Sequence, residues 1–233
     1  MKKLSIIFVL AFSLVFLNYC GKKEEKKAQP VQEEKKVEKV EKKVEKKVFA
    51  YIDNPTLDMI PSEPLKGRVV KGDVRTDFIV ESIMIIPGFK NWKLCFADKK
   101  MQKVEEDFDF TDAIKLKVEL TKQEIKSGEV IEKTADIEKE QDLSFIELTL
   151  KKGETYEPIT SYTRIAYVVK FTKWEIEPYK KETGSGNQLA GKASGIIAVC
   201  IKGDGSDFDK MWIAGQFEDV PVYYTGKPPW VKE

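Results

Sequence analysis

Residues 114–120 (IKLKVEL) alternate without a break: Ile114, Leu116, Val118 and Leu120 fall on one side of an extended chain, Lys115, Lys117 and Glu119 on the other. A period of two matches the pleat of a strand with one dry and one wet face. It does not match a helix, whose side chains repeat every ~3.6 residues. The same pattern recurs beyond residue 49. Residues 91–97 (NWKLCFA) set Trp92, Leu94 and Phe96 against Lys93 and Cys95, and residues 162–177 set Ile165, Tyr167, Val169 and Phe171 on one face. Residues 65–73, 76–86, 143–150, 192–202 and 211–224 are further β-branched or apolar runs, the last interrupted by Gly215 and Pro221. Pro87 with Gly88, Gly153 after two lysines, and residues 203–206 (GDGS) supply turns between them.

Helical signals are scarce in this region. Thr121 followed by Glu124 and stopped by Gly128 predicts one short helix over 121–128. Residues 129–141 fit either type, 49–64 are proline-rich and read as extended, and 180–191 read as a loop. The expected fold is therefore all-β, a sandwich or jelly-roll-like barrel of about eight strands with at most one short helix.

The N-terminus obeys different rules. Lys2 and Lys3 precede an apolar run of about fourteen residues from Leu4 to Leu17, a secretory h-region in length and shorter than the ~20 apolar residues that span a bilayer. Leu17, Asn18, Tyr19 and Cys20 follow. This tetrad resembles a bacterial lipobox, in which a branched apolar residue stands three before a cysteine. Tyr19 replaces the usual small residue, as in the looser lipoboxes of spirochaetal lipoproteins. The resemblance implies cleavage before Cys20, a diacylglyceryl thioether on its sulfur and an acylated amine. It also implies a protein held in the cell envelope, on the surface or periplasmic face of the outer membrane. Residues 21–47 are rich in Lys and Glu and lack aromatics, a composition too polar to fold alone. Val37, Val40, Val44 and Val48 give the stretch a short apolar stripe, so it reads as a solvated spacer that is helical part of the time. The expected organisation is a signal peptide over 1–19, a lipidated cysteine and spacer over 20–48, and a β-rich domain over 49–233.

Composition narrows the chemistry. Lys and Arg number 40 against 39 Asp and Glu, a balance that argues against a nucleic-acid partner. There is no histidine, which excludes a Ser-His-Asp or Cys-His nucleophile and removes the commonest zinc ligand. No cofactor or metal site is expected. Residues 105–112 (EEDFDFTD) read as an edge strand with solvated carboxylates, and residues 204–209 (DGSDFD) as a hairpin turn without calcium-loop spacing. The glycines of residues 184–191 are not followed by the Lys-Ser/Thr of a phosphate loop. In an exported protein Cys95 and Cys200 are either a disulfide or two buried thiols. Tyr223, Tyr224 and Trp230 are candidates for an exposed aromatic binding patch, with a packed terminus as the alternative.

Ser194 and Gly195, set beside Ala214, Gly215, Gln216, Phe217 and Glu218, also look like the closing hairpin of small β-sandwich domains in bacterial lipoproteins. That resemblance implies architecture alone. Together these observations point to a lipid-anchored, non-enzymatic binding module for an envelope or protein ligand. A purely structural envelope lipoprotein is the alternative, and a carboxylate-type hydrolase the third reading.

Overall fold

The computed structural model describes residues 49–100, 112–137, 145–181 and 187–232. The signal peptide, Cys20 and the spacer lie outside these residues, as do 101–111, with most of the acidic stretch, and 182–186 of the glycine-rich loop. Contacts divide the chain into Met1–Lys43 and Val44–Glu233, and all the described residues belong to the second unit.

Among the described residues eleven strands make one hydrogen-bonded sheet. They are β1 (Lys66–Lys71), β2 (Val74–Ile79), β3 (Ser82–Pro87), β4 (Trp92–Ala97), β5 (Lys115–Glu119), β6 (Val130–Asp136), β7 (Ile146–Lys152), β8 (Thr155–Ile159), β9 (Tyr162–Ile176), β10 (Gln188–Gly203) and β11 (Lys210–Tyr224). The order is β6-β9-β10-β11-β3-β4-β5-β7-β8, with β1 on β11 and β2 on β1. The junction is β11. Its first half pairs with β1, Lys66 opposite Ala214, while Val222 near its end pairs in parallel with Ile85 of β3. β10 follows its other edge nearly throughout. The all-β expectation holds, and the sheet is open and curled so that its two ends face each other like the layers of a sandwich.

Between the layers lies the main core. Leu94, Phe96, Leu116, Val118, Ile146 and Leu148 come from one side, and Ile165, Val169, Ile197, Val199 and Ile213 from the other, all buried. Full burial of each such side chain contributes roughly 1.5–3 kcal/mol. The layers also touch through polar atoms: the Tyr167 hydroxyl donates to the Glu119 carbonyl at 3.3 Å.

The middle strands are buried on their outer faces as well. A strap of residues 49–64 crosses β9, β10 and β11, and its Phe49, Leu57 and Ile60 pack on Val168, Ala198 and Ala214. Ala198 and Ala214, beneath the strap, are small, which lets it lie close. This double burial explains why residues 196–201 (IIAVCI) read as a continuous apolar run and do not alternate. The Gln216 N–H donates to the Glu63 carbonyl at 2.8 Å, and Pro64 bridges Gln216. Gly215, at φ 144°, makes the approach feasible, since a Cβ there would stand 2.6 Å from the Glu63 oxygen.

Several expectations require correction. The run 76–86 is two strands. Between them the Val80 N–H binds the Leu65 carbonyl and the Glu81 N–H the Ala97 carbonyl, so the chain passes from one layer to the other. Residues 130–136 and 155–159 are strands, the second with Pro158 at the sheet edge. The helix expected over 121–128 is absent; the segment is bends and turns. Its backbone groups are claimed from outside: Trp92 Nε1 donates to the Gln123 carbonyl at 2.8 Å, and the Gly128 N–H goes to the Phe171 carbonyl at 2.7 Å. The described helical turn is instead a 3-10 turn at Leu57–Met59, in the segment read as extended.

Gly215→Ala should therefore destabilise the domain by about 2 kcal/mol or more, because it adds a clash with the strap to the backbone strain. Gly226→Ala, at φ 100° with nothing within 4 Å of the new methyl, should cost about 1 kcal/mol. Urea midpoints of the two variants measure the difference, and equal midpoints would contradict the strap's role.

Candidate functional site

A groove of about 530 Å³ lies on the outer face, where the strap meets the β1–β2 hairpin. Its position follows from strand register. Lys66 and Arg68 share the outer face of β1 with their cross-strand partners Ile79 and Asp77 on β2 and Ala214 and Trp212 on β11. Phe49, Pro61 and Pro64 of the strap form the opposite wall. Gly67, on the inner side, leaves room for the Phe78 ring that lies over it.

Charges rim this apolar surface in pairs. Arg68 makes a two-pronged contact with Asp77, the Nη2 branch at 2.8 Å, and its guanidinium stands 5.6 Å from the Trp212 ring centre. That contact holds the Asp77 carboxyl below the usual carboxylate range. Lys66 pairs with Glu63 at 2.8 Å. Ion pairs this exposed contribute about 0–1 kcal/mol each, so they shape the rim more than they hold the fold. Ile79 stands at the lip with 59% of its surface exposed. The arrangement can hold an apolar or amphipathic group between paired charges. None of these residues was singled out by the sequence, because the groove assembles β1, β2, β11 and the strap from distant positions.

Tyr223, Tyr224 and Trp230 do not form an exposed patch. Tyr223 is buried on the outer face with Met84, Cys95 and Ala97. Tyr224 turns inward, its ring 5.7 Å from that of Trp92 and its hydroxyl donating to the Glu177 carbonyl at 2.8 Å. Trp230 packs edge-on at 5.4 Å against the same Trp92, which also meets Trp174 at 5.6 Å. The period of two that places Tyr223 and Tyr224 on opposite faces is what separates them. Beside this cluster the buried Glu119 carboxylate accepts the N–H groups of Phe89, Lys90 and Asn91 at 3.3, 2.5 and 2.7 Å. It fixes the β3–β4 turn and leaves the Phe89 ring exposed.

Cys95 and Cys200 are free thiols. Cys95 packs beside Met84 and Tyr223, whereas Cys200 lies near the Ile52 backbone of the strap, and no bridge joins them. Burial pushes Cys95 up to about 12 and Cys200 up to about 11. The aspartates of the 204–209 turn are engaged singly. Asp204 accepts from the Ser206 N–H and hydroxyl, Asp207 contacts Lys152 at 2.6 Å and Ser161 at 2.7 Å, and Asp209 accepts the Gly72 N–H at 2.6 Å. Among the described residues no three carboxylates or thiols converge as metal ligands.

The thiols predict a pH dependence. An unburied thiol ionises near 9.0, so below that pH both folded and unfolded chains hold neutral thiols and the stabilisation is complete. As pH rises further the unfolded chain ionises first, and stability falls until the folded thiols ionise near 11 and 12. The urea midpoint should drop between pH 9 and 11, and less steeply in the Cys95→Ala, Cys200→Ala double variant. Parallel curves for the two proteins would contradict it. No protein-family model, curated protein or solved structure matches this chain.

Proposed function

We propose that this chain is a lipid-anchored envelope protein whose β domain is a binding module and not a catalyst. The observation that carries the reading is the groove between the strap and the β1–β2 hairpin: an apolar surface of Trp212, Ile79 and Phe49 rimmed by charges already paired. A binding surface combines apolar area with satisfied polar groups at its rim. General acid–base chemistry would call for an unpaired carboxylate with a raised pKa facing the cleft, and Asp77 is shifted the other way by Arg68. The anchor rests on the lipobox-like run ending at Cys20. Two or three acyl chains there, at about 0.8 kcal/mol per buried methylene, hold a protein firmly where one chain holds it marginally.

Two measurements test the two parts. Cys20→Ala should move the protein from the detergent phase to the aqueous phase and abolish labelling by radioactive palmitate; unchanged partitioning would refute the anchor. A photo-crosslinking side chain at Ile79 should capture an envelope component in intact source cells, whereas one at the exposed Glu154, in the β7–β8 turn, should not. Equal capture at both positions would refute the groove.

A further inference from the structure

Strand β2 ends its side of the sheet: it pairs with β1 and, among the described residues, with no other strand. All of it but Phe78 is exposed, with Val74 at 66% and Ile79 at 59%. The Val80 N–H donates to the Leu65 carbonyl at 3.2 Å, which fixes the phase of the ladder. Residues 67 and 78, 69 and 76, and 71 and 74 are then the hydrogen-bonded pairs with β1. The N–H and C=O groups of Arg75, Asp77 and Ile79 therefore point to the open edge. Strand β8, at another end of the sheet, carries Pro158, which has no N–H to offer an added strand.

That phase limits how a second β2 adds in the antiparallel sense. Outward-pointing residues must meet outward-pointing residues, so 75, 77 and 79 pair among themselves and the two-fold axis passes through a residue. An axis at Val74, Arg75 or Phe78 leaves most of the strand without a partner. An axis at Thr76 pairs residues 74 to 78, and one at Asp77 pairs 75 to 79. The second sets Asp77 against the partner's Asp77, and like charges directly opposite are destabilising. The first sets Arg75 against the partner's Asp77 and Asp77 against the partner's Arg75, so charge selects Thr76. Each 75–77 pair exchanges both main-chain hydrogen bonds. On the outer face a row then runs Trp212, Arg68, Asp77, the partner's Arg75, with the Asp77 carboxylate held from β1 by Arg68 on one side and met by the second guanidinium on the other. The stem of the partner's Arg75 lies diagonal to Ile79 and covers it. On the inner face Val74 stands opposite the partner's Phe78, in the closely spaced kind of pair.

We propose that β2 pairs with the β2 of a second copy of this chain, antiparallel about a two-fold axis at Thr76, so that two sheets become one. Main-chain hydrogen bonds and the covering of Val74 and Ile79 supply affinity, and the two Arg75–Asp77 contacts set the register. The interface is self-complementary and closes on itself, so it ends at a dimer. It also brings the partner's Arg75 to the lip of the groove beside Asp77, and each groove gains a residue from the other copy. The proposal needs neither an acylated Cys20 nor an occupied groove.

The test follows the full-length chain in density-matched detergent by sedimentation equilibrium, where a reversible dimer is expected. Arg75→Asp and Asp77→Arg each set like charges against each other across the axis and should each raise the dissociation constant at least tenfold. An equimolar mixture of the two variants places opposite charges face to face again and should associate at least tenfold more tightly than either variant alone. Thr76→Cys, on the axis, faces itself at about 4.5 Å between Cα atoms and should form an intermolecular disulfide under mild oxidation. Val74→Cys, off the axis, should not. Residues 74–77 are all exposed, so none of these changes enters the core. In intact source cells the Thr76→Cys adduct should have twice the mass of the chain. A monomer at every concentration, a mixture no tighter than its parts, or equal crosslinking at 74 and 76 would overturn the proposal. So would an adduct with a different protein, since the edge would then belong to another partner.

Discussion

Burial of both faces of β9, β10 and β11 is the constraint on which the rest of this domain depends. A sheet in water keeps one face wet at no cost, but a strand rich in Ile, Val and Ala on both sides must be covered twice. The curl of the sheet supplies the inner cover and the strap the outer one. The requirement fixes the residue types: Ala198 and Ala214 where the strap crosses, glycine at 215 where the two backbones approach, and bulk at Ile60 and Leu57 to fill the remaining space. The strap is thus part of the core and not a leader to it.

At one end of the sandwich, stability gathers around Trp92. Four rings meet there, and each edge-on pair adds about 0.5–1.5 kcal/mol beyond the area it buries. The indole N–H is satisfied by the Gln123 carbonyl, and Glu119 next door satisfies three amides of the turn that leads into Trp92. A buried carboxylate left without such partners would be costly. The same contacts shape local structure, because a carbonyl at 123 and an N–H at 128 that serve distant strands are two groups withdrawn from a helical turn.

Residues whose role is set by local period were legible in the sequence. The alternation of 114–120 and 91–97 gave β5 and β4 with the correct inward faces, and the long runs gave β9, β10 and β11. Residues whose role is set by distant partners were not. The capping signal at Thr121 and Glu124 is sound chemistry overridden by Trp92 and Phe171. The split at Val80 and Glu81 is invisible because both flanks are β-branched. Tyr223, Tyr224 and Trp230 cluster in sequence, yet successive strand residues face opposite ways, and composition alone could not say that each face was already occupied. The groove was missed for the same reason: its walls come from residues 49 to 79 and from 212 to 214, and no short pattern links them.

The groove and the open edge share one origin in the path of β11. Had β1 paired with β11 along its full length, β3 would have had no place and the hairpin would have been buried within the sheet. Because β11 gives its first half to β1 and its end to β3, the β1–β2 hairpin projects from the sheet with both faces accessible. The strap walls it on the outside and the β7–β8 hairpin approaches it on the inside. Between those two partners, just after Ala214, lies Gly215, the residue that admits the strap. The seat of the strap at Gly215 thus adjoins the end of the β1 pairing, and the groove lies beside a close backbone approach that the fold cannot lose.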